Sequence, residues 1–413
     1  MLKILLANKY AQSVLIYAFV SAMLAFLPLF LLPIITKFVS VDLYGDYVIY
    51  VIIVKLITAI ISLGYLESTA REFSIRTPED FSKFYTGTLI RVICSGFVLA
   101  LFLNLTYFSF SELFNVDIVF LNWLVPVALS HFIVNTLLSM FQMSSNPAQY
   151  AKYRIIQVVF EYLFLFLVVY FFNPTNNLIY SSFIFASFLT MGFALCWMIK
   201  SKVIVRIERF RFVDASLKTS LPIIPHQLSG MFLSFSDRII IKSTLGAASV
   251  GVYSIGYQFG QIVSLVDTAI NKAWLPWLYK QLQRDNVDYK KIKLLCVAYV
   301  IILFLFSLLN GYVGHFLIDE LYPFEYNAAK DVVLIISLSF FVFGVYKLLA
   351  SFLFFWKKTV FLGVVTPIVL LVNVLSAFLL IPSFGLIGAA YSTLGSFAFY
   401  VCVVFVYLIS LSR

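Results

Sequence analysis

Long apolar runs separated by short polar segments make up most of this chain. Twelve runs of roughly 20 to 28 residues are each long enough to cross a bilayer as a helix. Their approximate limits are 12–36, 44–66, 84–108, 118–142, 154–173, 178–199, 219–243, 251–279, 293–316, 329–355, 359–381 and 386–411. The pattern predicts an all-α polytopic membrane protein with twelve transmembrane helices. The first run is too long for the apolar region of a signal peptide, so we expect it to be retained as a helix.

Composition supports the same fold class. The chain has 413 residues, of which 62% are hydrophobic and only 12% are charged. A soluble domain of this size needs more charged surface than that. The four cysteines include no C-x-x-C pair, and the three histidines lack metal-ligand spacing, so we expect no metal site and no bound cofactor. A P-loop, a G-x-S-x-G elbow and a D-x-D pair are also missing from the sequence, which argues against an enzyme.

The basic residues between the runs and at their ends fall almost entirely in one set of alternate loops. The opposite set carries only Lys37, Lys242 and Lys330. Positive residues stay on the cytoplasmic side, so this asymmetry predicts a multi-pass protein with both termini in the cytoplasm. The net charge of +10 is therefore a topology signal, and binding to nucleic acid is not needed to explain it.

Five cations lie within the apolar runs and away from the run ends: Lys55, Arg91, Arg238, Lys272 and Lys347. A charge near the bilayer centre costs at least about 2.5 kcal/mol, so it normally faces a cavity, a partner or a substrate. We predict that these residues line a cationic cavity that binds an anionic substrate. For Arg91 and Lys272 the alternative is that the side chain extends to the membrane interface.

Three carboxylates also lie within the runs and away from the run ends: Glu161, Asp237 and Asp267. Such carboxylates are the usual place for coupling to a proton or sodium ion, so all three are candidates for ion coupling. Two alternatives stay open at this point. Asp237 could form a structural ion pair with Arg238, and Glu161 and Asp267 could simply neutralise nearby cations.

The two halves of the chain carry similar signals. Gly45-Asp-Tyr47 precedes the second run and Gly251-Val-Tyr253 opens the eighth, and each follows a run that contains two prolines. Six runs per half predict a parallel repeat about an axis along the membrane normal. We therefore predict an N-lobe at residues 1–205, with helices 1–6, and a C-lobe at residues 206–413, with helices 7–12.

Short motifs in this order match a known family. They are Tyr44-Gly45-Asp-Tyr47, Gly64 … Glu67 … Arg71, Asp237-Arg238-Ile-Ile-Ile241, Gly251-Val-Tyr253-Ser254, Ala273-Trp-Leu-Pro276 and Gly385-Leu-Ile-Gly388-Ala-Ala. Across essentially its whole length the chain resembles Wzx-type polysaccharide flippases of the multidrug/oligosaccharidyl-lipid/polysaccharide exporter superfamily. The resemblance implies two six-helix lobes around a central cavity. It also implies that alternating access moves undecaprenyl-pyrophosphate-linked repeat units of O-antigen, as in lipopolysaccharide, or of a similar polysaccharide to the periplasmic leaflet.

Further expectations follow from that resemblance. The protein should lie in the bacterial inner membrane and use a proton or sodium gradient. A polysaccharide polymerase and a chain-length regulator are possible partners. Because sugars hydrogen-bond and stack, we expect Gln258, Gln261 and Trp274 to contact the sugar.

Two alternatives come from other classes of protein. A membrane-embedded polymerase or glycosyltransferase also has many spans, but it usually carries its catalytic residues on a large periplasmic loop. The longest loop on that side here, residues 315–330, is short. A drug exporter of the same superfamily that takes cationic drugs would favour an acidic cavity, and the five cations argue against it.

Overall fold

The computed structural model describes Val20, Met23, residues 27–108, Ser111 and residues 116–144, 146–205, 224–284 and 286–411. Most of the predicted first span and of the linker between the halves lies outside these residues. Within the part of the chain that is described, the regular structure is helical and contains no β-strand. The predicted all-α membrane fold is confirmed.

The described helices follow the apolar runs closely. After a helix at residues 27–35, they are α1 (Val41–Ser62), α2 (Tyr65–Ile75), α3 (Pro78–Leu105), α4 (Ile118–Met143), α5 (Pro147–Phe171), α6 (Asn176–Lys200), α7 (Ile224–Leu245), α8 (Ala247–Leu282), α9 (Tyr289–Leu321), a 3₁₀ turn (Phe324–Tyr326), α10 (Ala329–Phe355) and α11 (Thr359–Leu411). Helix α11 contains a break at Gly385, where φ is 60° and ψ is −138°. The break separates the predicted eleventh and twelfth spans.

Eight of the described helices are long and apolar enough to cross a membrane: α1, α3, α4, α5, α6, α9, α10 and α11. Helices α7 and α8 are not among them. Both carry polar side chains within their length, including Asp237 and Arg238 on α7 and Gln258, Gln261 and Asp267 on α8. These two helices also hold most of the candidate site residues.

Side-chain caps set where several helices begin. The side-chain oxygens of Thr77, Asn146, Thr175 and Asp288 each accept a hydrogen bond from a backbone N–H in the first turn of the helix that follows. These contacts satisfy N–H groups that have no partner inside the helix. Proline follows directly at positions 78 and 147, where its missing N–H costs nothing.

The predicted second span ends earlier than its apolar run suggests. Leu63 and Gly64 adopt left-handed conformations, with φ of 48° and 73°, and α1 stops at Ser62. The motif residues Glu67 and Arg71 therefore lie on the separate helix α2. On that helix, Glu72 pairs with Arg76, with Oε2 and Nε 2.6 Å apart.

The chain forms two compact units. Unit 1 comprises the described residues among 1–31 and 46–228, and unit 2 comprises those among 32–45 and 229–413. The first turn of α1 thus belongs to unit 2, whereas the rest of α1 belongs to unit 1. The lobes that the sequence predicts, divided at residue 205, remain a prediction.

Unit 1 is organised around α1 and α4, which are mostly buried. Helix α4 packs against α2, α3, α5 and α6. Helices α3 and α5 are the least buried of the spans in unit 1, and several of their exposed side chains are large and apolar, as at Phe97 and Leu105 of α3. Exposed apolar side chains on helices of this length fit contact with lipid.

Unit 2 is organised around α10, which packs against α8, α9 and α11. Close approach depends on glycine. A Cβ at Gly256 of α8 would lie 2.6 Å from the backbone oxygen of Ala329, and one at Gly260 would lie 2.5 Å from Ile336 Cγ2. Small residues at helix contacts let backbones approach in lipid, where the hydrophobic effect does not drive helices together.

The first turns of α1 and α8 cross within unit 2 in a reciprocal way. A Cβ at Gly45 would clash with the backbone oxygen of Ala247, and a Cβ at Gly251 would lie 2.7 Å from the backbone oxygen of Val41. The N–H of Ala248 donates to Oδ1 of Asp42, 206 residues away, at 3.1 Å. Gly45 and Gly251 are the glycines of the two G-x-Y motifs, so the two copies of the repeated motif contact each other through their glycines.

Candidate functional site

Asp267 is the centre of a polar cluster that joins three helices of unit 2. The Nζ of Lys347, on α10, lies 2.8 Å from Asp267 Oδ2. The other carboxylate oxygen, Oδ1, accepts from the hydroxyl of Tyr299 on α9 and, at 2.9 Å, from Nδ2 of Asn271 on α8. Asp267 is fully buried, whereas the Lys347 side chain is 29% exposed. The structure therefore pairs a predicted substrate cation with a predicted coupling carboxylate.

A second cluster surrounds Arg238 on α7. Asp237 Oδ1 accepts from the Arg238 backbone N–H at 2.8 Å and lies 3.3 Å from Arg238 Nη1. Asp237 Oδ2 accepts from the hydroxyl of Tyr253 at 2.7 Å. The guanidinium of Arg238 lies 3.9 Å from the ring centroid of Tyr257, a cation–π contact.

The side chains of Asp237 and Arg238 are only 2% and 8% exposed. Their ion pair corresponds to the structural role that the sequence left open for Asp237. That Arg238 binds substrate and that Asp237 couples an ion both stay predictions. Substrate could reach Arg238 only after the surrounding side chains move.

In unit 1, Glu161 belongs to a hydrogen-bonded row along α5. Arg154 Nη1 donates to Gln157 Oε1 at 2.7 Å, and Gln157 Nε2 donates to Glu161 Oε1 at 3.0 Å. The charges of Lys55, on α1, and of Arg154 both act on Glu161. Glu161 thus lies within the field of two cations, as the neutralising alternative requires, and its role in ion coupling stays a prediction.

His131 of α4 is a further polar group in this part of unit 1. Its Nε2 lies 3.3 Å from the Oγ of Ser187 on α6, and the same two cations, Lys55 and Arg154, act on it. Four helices therefore bring ionisable or polar side chains towards one region of unit 1.

Lys55 and Arg91 are placed differently within their helices. Lys55 is exposed on α1 although its neighbours Val54 and Leu56 are buried. Arg91 is half-buried on α3, whose surface is mostly apolar. Both residues make further contacts within the chain. Their predicted contact with substrate stays a prediction.

The remaining predicted residues lie on α8. Gln261 and Lys272 are exposed, as is Thr268, and the spacing of these three residues places them on one face of the helix. Gln258 is half-buried. Trp274 is 8% exposed, and its indole N–H lies 3.5 Å from Ser351 Oγ on α10, so it packs between helices rather than on the exposed face. The sugar contacts stay predictions.

The sequence did not single out several partners in these clusters. Arg154 and Gln157 precede Glu161 by seven and four residues, so their shared helix face could have been found from spacing alone. By contrast, no pattern in the sequence marks Tyr299 or Asn271. Tyr299 is one of 25 tyrosines and lies 32 residues from Asp267, so only the folded structure reveals the contact.

A cavity of about 730 Å³ lies elsewhere in unit 2. The segment from Thr36 to Asp42, the start of α8 and the turn between α9 and α10 line it. Tyr326 is one of the lining residues; burial, together with the nearby Tyr44, Glu325 and Asp42, raises the pKa of its hydroxyl. The predicted substrate and coupling residues are not part of this lining. Among the described residues, no group of three His, Cys, Asp or Glu side chains could hold a metal ion.

This architecture is that of a known class of helical membrane transporters. The structure titled lipid II flippase MurJ, in an inward closed conformation, superposes with a TM-score of 0.69 at 14% identity and covers 99% of this chain and 88% of its own. A multidrug resistance MATE family transporter of the MOP superfamily, in an inward-facing conformation, gives 0.64 at 12% identity and covers 95% and 97%. At these identities the similarity establishes the fold.

The family follows from the sequence. The family model described as polysaccharide biosynthesis protein matches residues 10–282, and the chain belongs to that family. An uncharacterized membrane protein of Haemophilus influenzae is 23% identical over 343 residues, which cover 80% of each chain. The Lsg locus putative protein 1 of the same organism is 22% identical over 277 residues, 64% of this chain and 65% of its own. The resemblance to Wzx-type flippases is thus confirmed.

Proposed function

We propose that this protein is a flippase for undecaprenyl-pyrophosphate-linked oligosaccharide repeat units of O-antigen or a similar surface polysaccharide. Its family is one of polysaccharide biosynthesis, and its fold is shared with a lipid II flippase and with MATE transporters. The substrate would cross from the cytoplasmic to the periplasmic leaflet of the bacterial inner membrane. Both termini would be cytoplasmic, as the distribution of basic residues predicts.

One observation carries the choice of an anionic substrate. Lys347 lies on a helix long and apolar enough to cross a membrane, and its side chain is partly exposed although a carboxylate anchors its ammonium. Lys55 and Lys272 are exposed on their helices as well. Cations with this exposure on the helices of a membrane protein suit a pyrophosphate, because charge neutralisation is worth more in a medium of low dielectric constant than in water.

The transport cycle needs a driving force, and we propose a proton or sodium gradient. Glu161, Asp237 and Asp267 are the candidate coupling residues. A polymerase and a chain-length regulator would act on the translocated repeat units and are the proposed protein partners.

The loop between α9 and α10 argues against a polymerase or glycosyltransferase. Helix α9 continues to Leu321 and α10 begins at Ala329, so the connection is a short segment with one 3₁₀ turn. Two of the acidic residues of this region, Asp319 and Glu320, lie on the last turn of α9. Asp319 pairs with Lys330 across the connection at 3.0 Å. This leaves little room for a catalytic loop between these helices.

A reconstituted transport assay tests the proposal. Purified protein is placed in liposomes that contain undecaprenyl-pyrophosphate-linked oligosaccharide, and the fraction of sugar accessible from outside is followed with a membrane-impermeant lectin. We expect protein-dependent exchange for this substrate and much slower exchange for undecaprenol-linked sugar, which lacks the phosphates. Equal exchange of both lipids, or none of either, would contradict the proposal.

A further inference from the structure

The donors around Asp267 differ on its two carboxylate oxygens. Oδ2 lies 2.8 Å from the ammonium of Lys347. Oδ1 accepts from two neutral groups, the Tyr299 hydroxyl and the Asn271 amide, and that amide also donates to the Tyr299 oxygen at 2.9 Å. One side of the carboxylate therefore contacts a charge, and the other side is held by a neutral pair.

The two charged partners also differ in exposure. The Asp267 side chain is 1% exposed and the Lys347 side chain 29%. Gly344, one turn before Lys347, lets the helices approach, since a Cβ there would lie 2.9 Å from Asp267 Oδ1. An ammonium has three N–H donors, so the bond to Asp267 leaves donors for an anion on the exposed side.

The neutral pair matters when Lys347 turns towards an arriving anion. A buried carboxylate that loses all its partners is very unfavourable. Tyr299 and Asn271 would continue to donate to Asp267 after the ammonium leaves, so the exchange does not strand a bare charge. The Asp267 carboxylate also competes with the substrate for Lys347 and so weakens substrate binding. A transporter needs such a limit on binding in order to release its substrate.

We propose that Asp267 is a positioning residue that competes with the pyrophosphate of the substrate for the ammonium of Lys347. Tyr299 and Asn271 hold the Asp267 carboxylate in place while the ammonium moves to the pyrophosphate. The competition limits how tightly the pyrophosphate is bound. The inference rests on the proposed function. It assigns Tyr299 and Asn271 roles in transport.

Two substitutions should act in opposite directions. Asp267→Asn removes the competing charge, so the substrate density for half-maximal transport should fall by about tenfold and the maximal rate should fall with it. Tyr299→Phe removes a neutral donor from Asp267, so the carboxylate should hold Lys347 more strongly. The substrate density for half-maximal transport should therefore rise several-fold. If the cluster around Asp267 were purely structural, both substitutions should shift the half-maximal substrate density in the same direction. Tyr312→Phe, at an exposed tyrosine on α9, is the matched control and should behave as wild type.

The experiment uses the full-length protein in the liposome assay above and adds direct binding of undecaprenyl pyrophosphate. Lys347→Met should weaken binding, and adding Asp267→Asn to it should change nothing further, because the carboxylate acts through the lysine. Should Asp267→Asn fail to accumulate, Asn271→Ala and Tyr299→Phe carry the test, and both should raise the half-maximal density.

Two results would overturn the inference while the wild-type protein still transports. One is that Asp267→Asn and Tyr299→Phe shift the half-maximal density in the same direction. The other is that Asp267→Asn has the same effect with and without Lys347. If the wild-type protein neither binds undecaprenyl pyrophosphate nor transports its glycoside, the proposed function fails, and the inference fails with it.

Discussion

Arg238 and Lys347 show how two predicted cations of unit 2 can differ in role. Arg238 is held between Asp237 and the face of Tyr257, and only 8% of its side chain is exposed. Lys347 has one carboxylate partner and is 29% exposed. Residue type and span position alone gave both the same prediction. Burial and partners, which depend on the fold, separate a cation fixed within the helix packing from one that can meet a ligand.

Removing the partner of Arg238 should destabilise the protein. Asp237→Asn keeps the shape but leaves a buried guanidinium without a charged partner, so we expect a loss of about 3–5 kcal/mol in the free energy of unfolding. Thermal unfolding of the purified protein in detergent measures this. The double variant Asp237→Asn/Arg238→Met should recover part of the loss, because it removes the unpaired charge as well. Wild-type stability for Asp237→Asn alone would contradict the structural role of the pair.

Removing an exposed cation should instead abolish transport. Lys55→Ala and Lys347→Ala should each fail to restore surface polysaccharide in a deletion strain while the protein reaches the membrane at normal level. Lys290→Ala, at an exposed lysine in the first turn of α9, is a suitable control and should restore it. Full activity of both variants at normal protein level would contradict the proposed roles of Lys55 and Lys347 in substrate binding.

At the scale of elements, the crossing of α1 and α8 carries the clearest internal symmetry. Gly45 and Gly251 each lie against the backbone of the other helix, and Asp42 accepts from the start of α8. The G-x-Y repeat was visible in the sequence. That its two copies contact each other was not, since spacing along the chain says nothing about which helices cross.

A side chain at this crossing should open it. Gly45→Val places a Cβ against the backbone oxygen of Ala247, where nothing flexible can move aside. Disulfide formation between Asp42→Cys and Ala248→Cys, in a background without the four native cysteines, reports the contact. We expect rapid cross-linking in the parent and slow cross-linking with Gly45→Val. Gly192→Val, at a helical glycine with open space around it, makes the same change in helix propensity and should cross-link like the parent.

Most helix boundaries could be predicted from the sequence. Apolar runs of membrane length fix where helices lie, and α4 to α10 each match one predicted span. The break after Ser62 was missed because the run continues through Leu63 and Gly64 in sequence, and only the left-handed backbone reveals it. The contacts of Asp267 with Tyr299 and Lys347 join three helices, and no single-helix periodicity contains that information.

At the scale of the whole molecule, the fold and the family lead to the same class of protein. The chain belongs to a polysaccharide biosynthesis family and has the fold of MOP superfamily transporters. Within that fold, the partly exposed Lys347 and the exposed Lys55 and Lys272 favour an anionic substrate. A lipid-linked sugar pyrophosphate combines the charge that these residues suit with the polysaccharide role of the family.

The most direct test of this account is a leaflet-resolved measurement in the host. Lipid-linked repeat units are labelled in a gene-deletion strain, and their accessibility to a periplasmic probe is compared with that in the complemented strain. If the protein is a flippase, single repeat units should accumulate on the cytoplasmic face of the deletion strain, inaccessible to the probe, and the intact gene should reverse this. Repeat units that reach the periplasmic face but remain unpolymerised would contradict a flippase and indicate a polymerase instead.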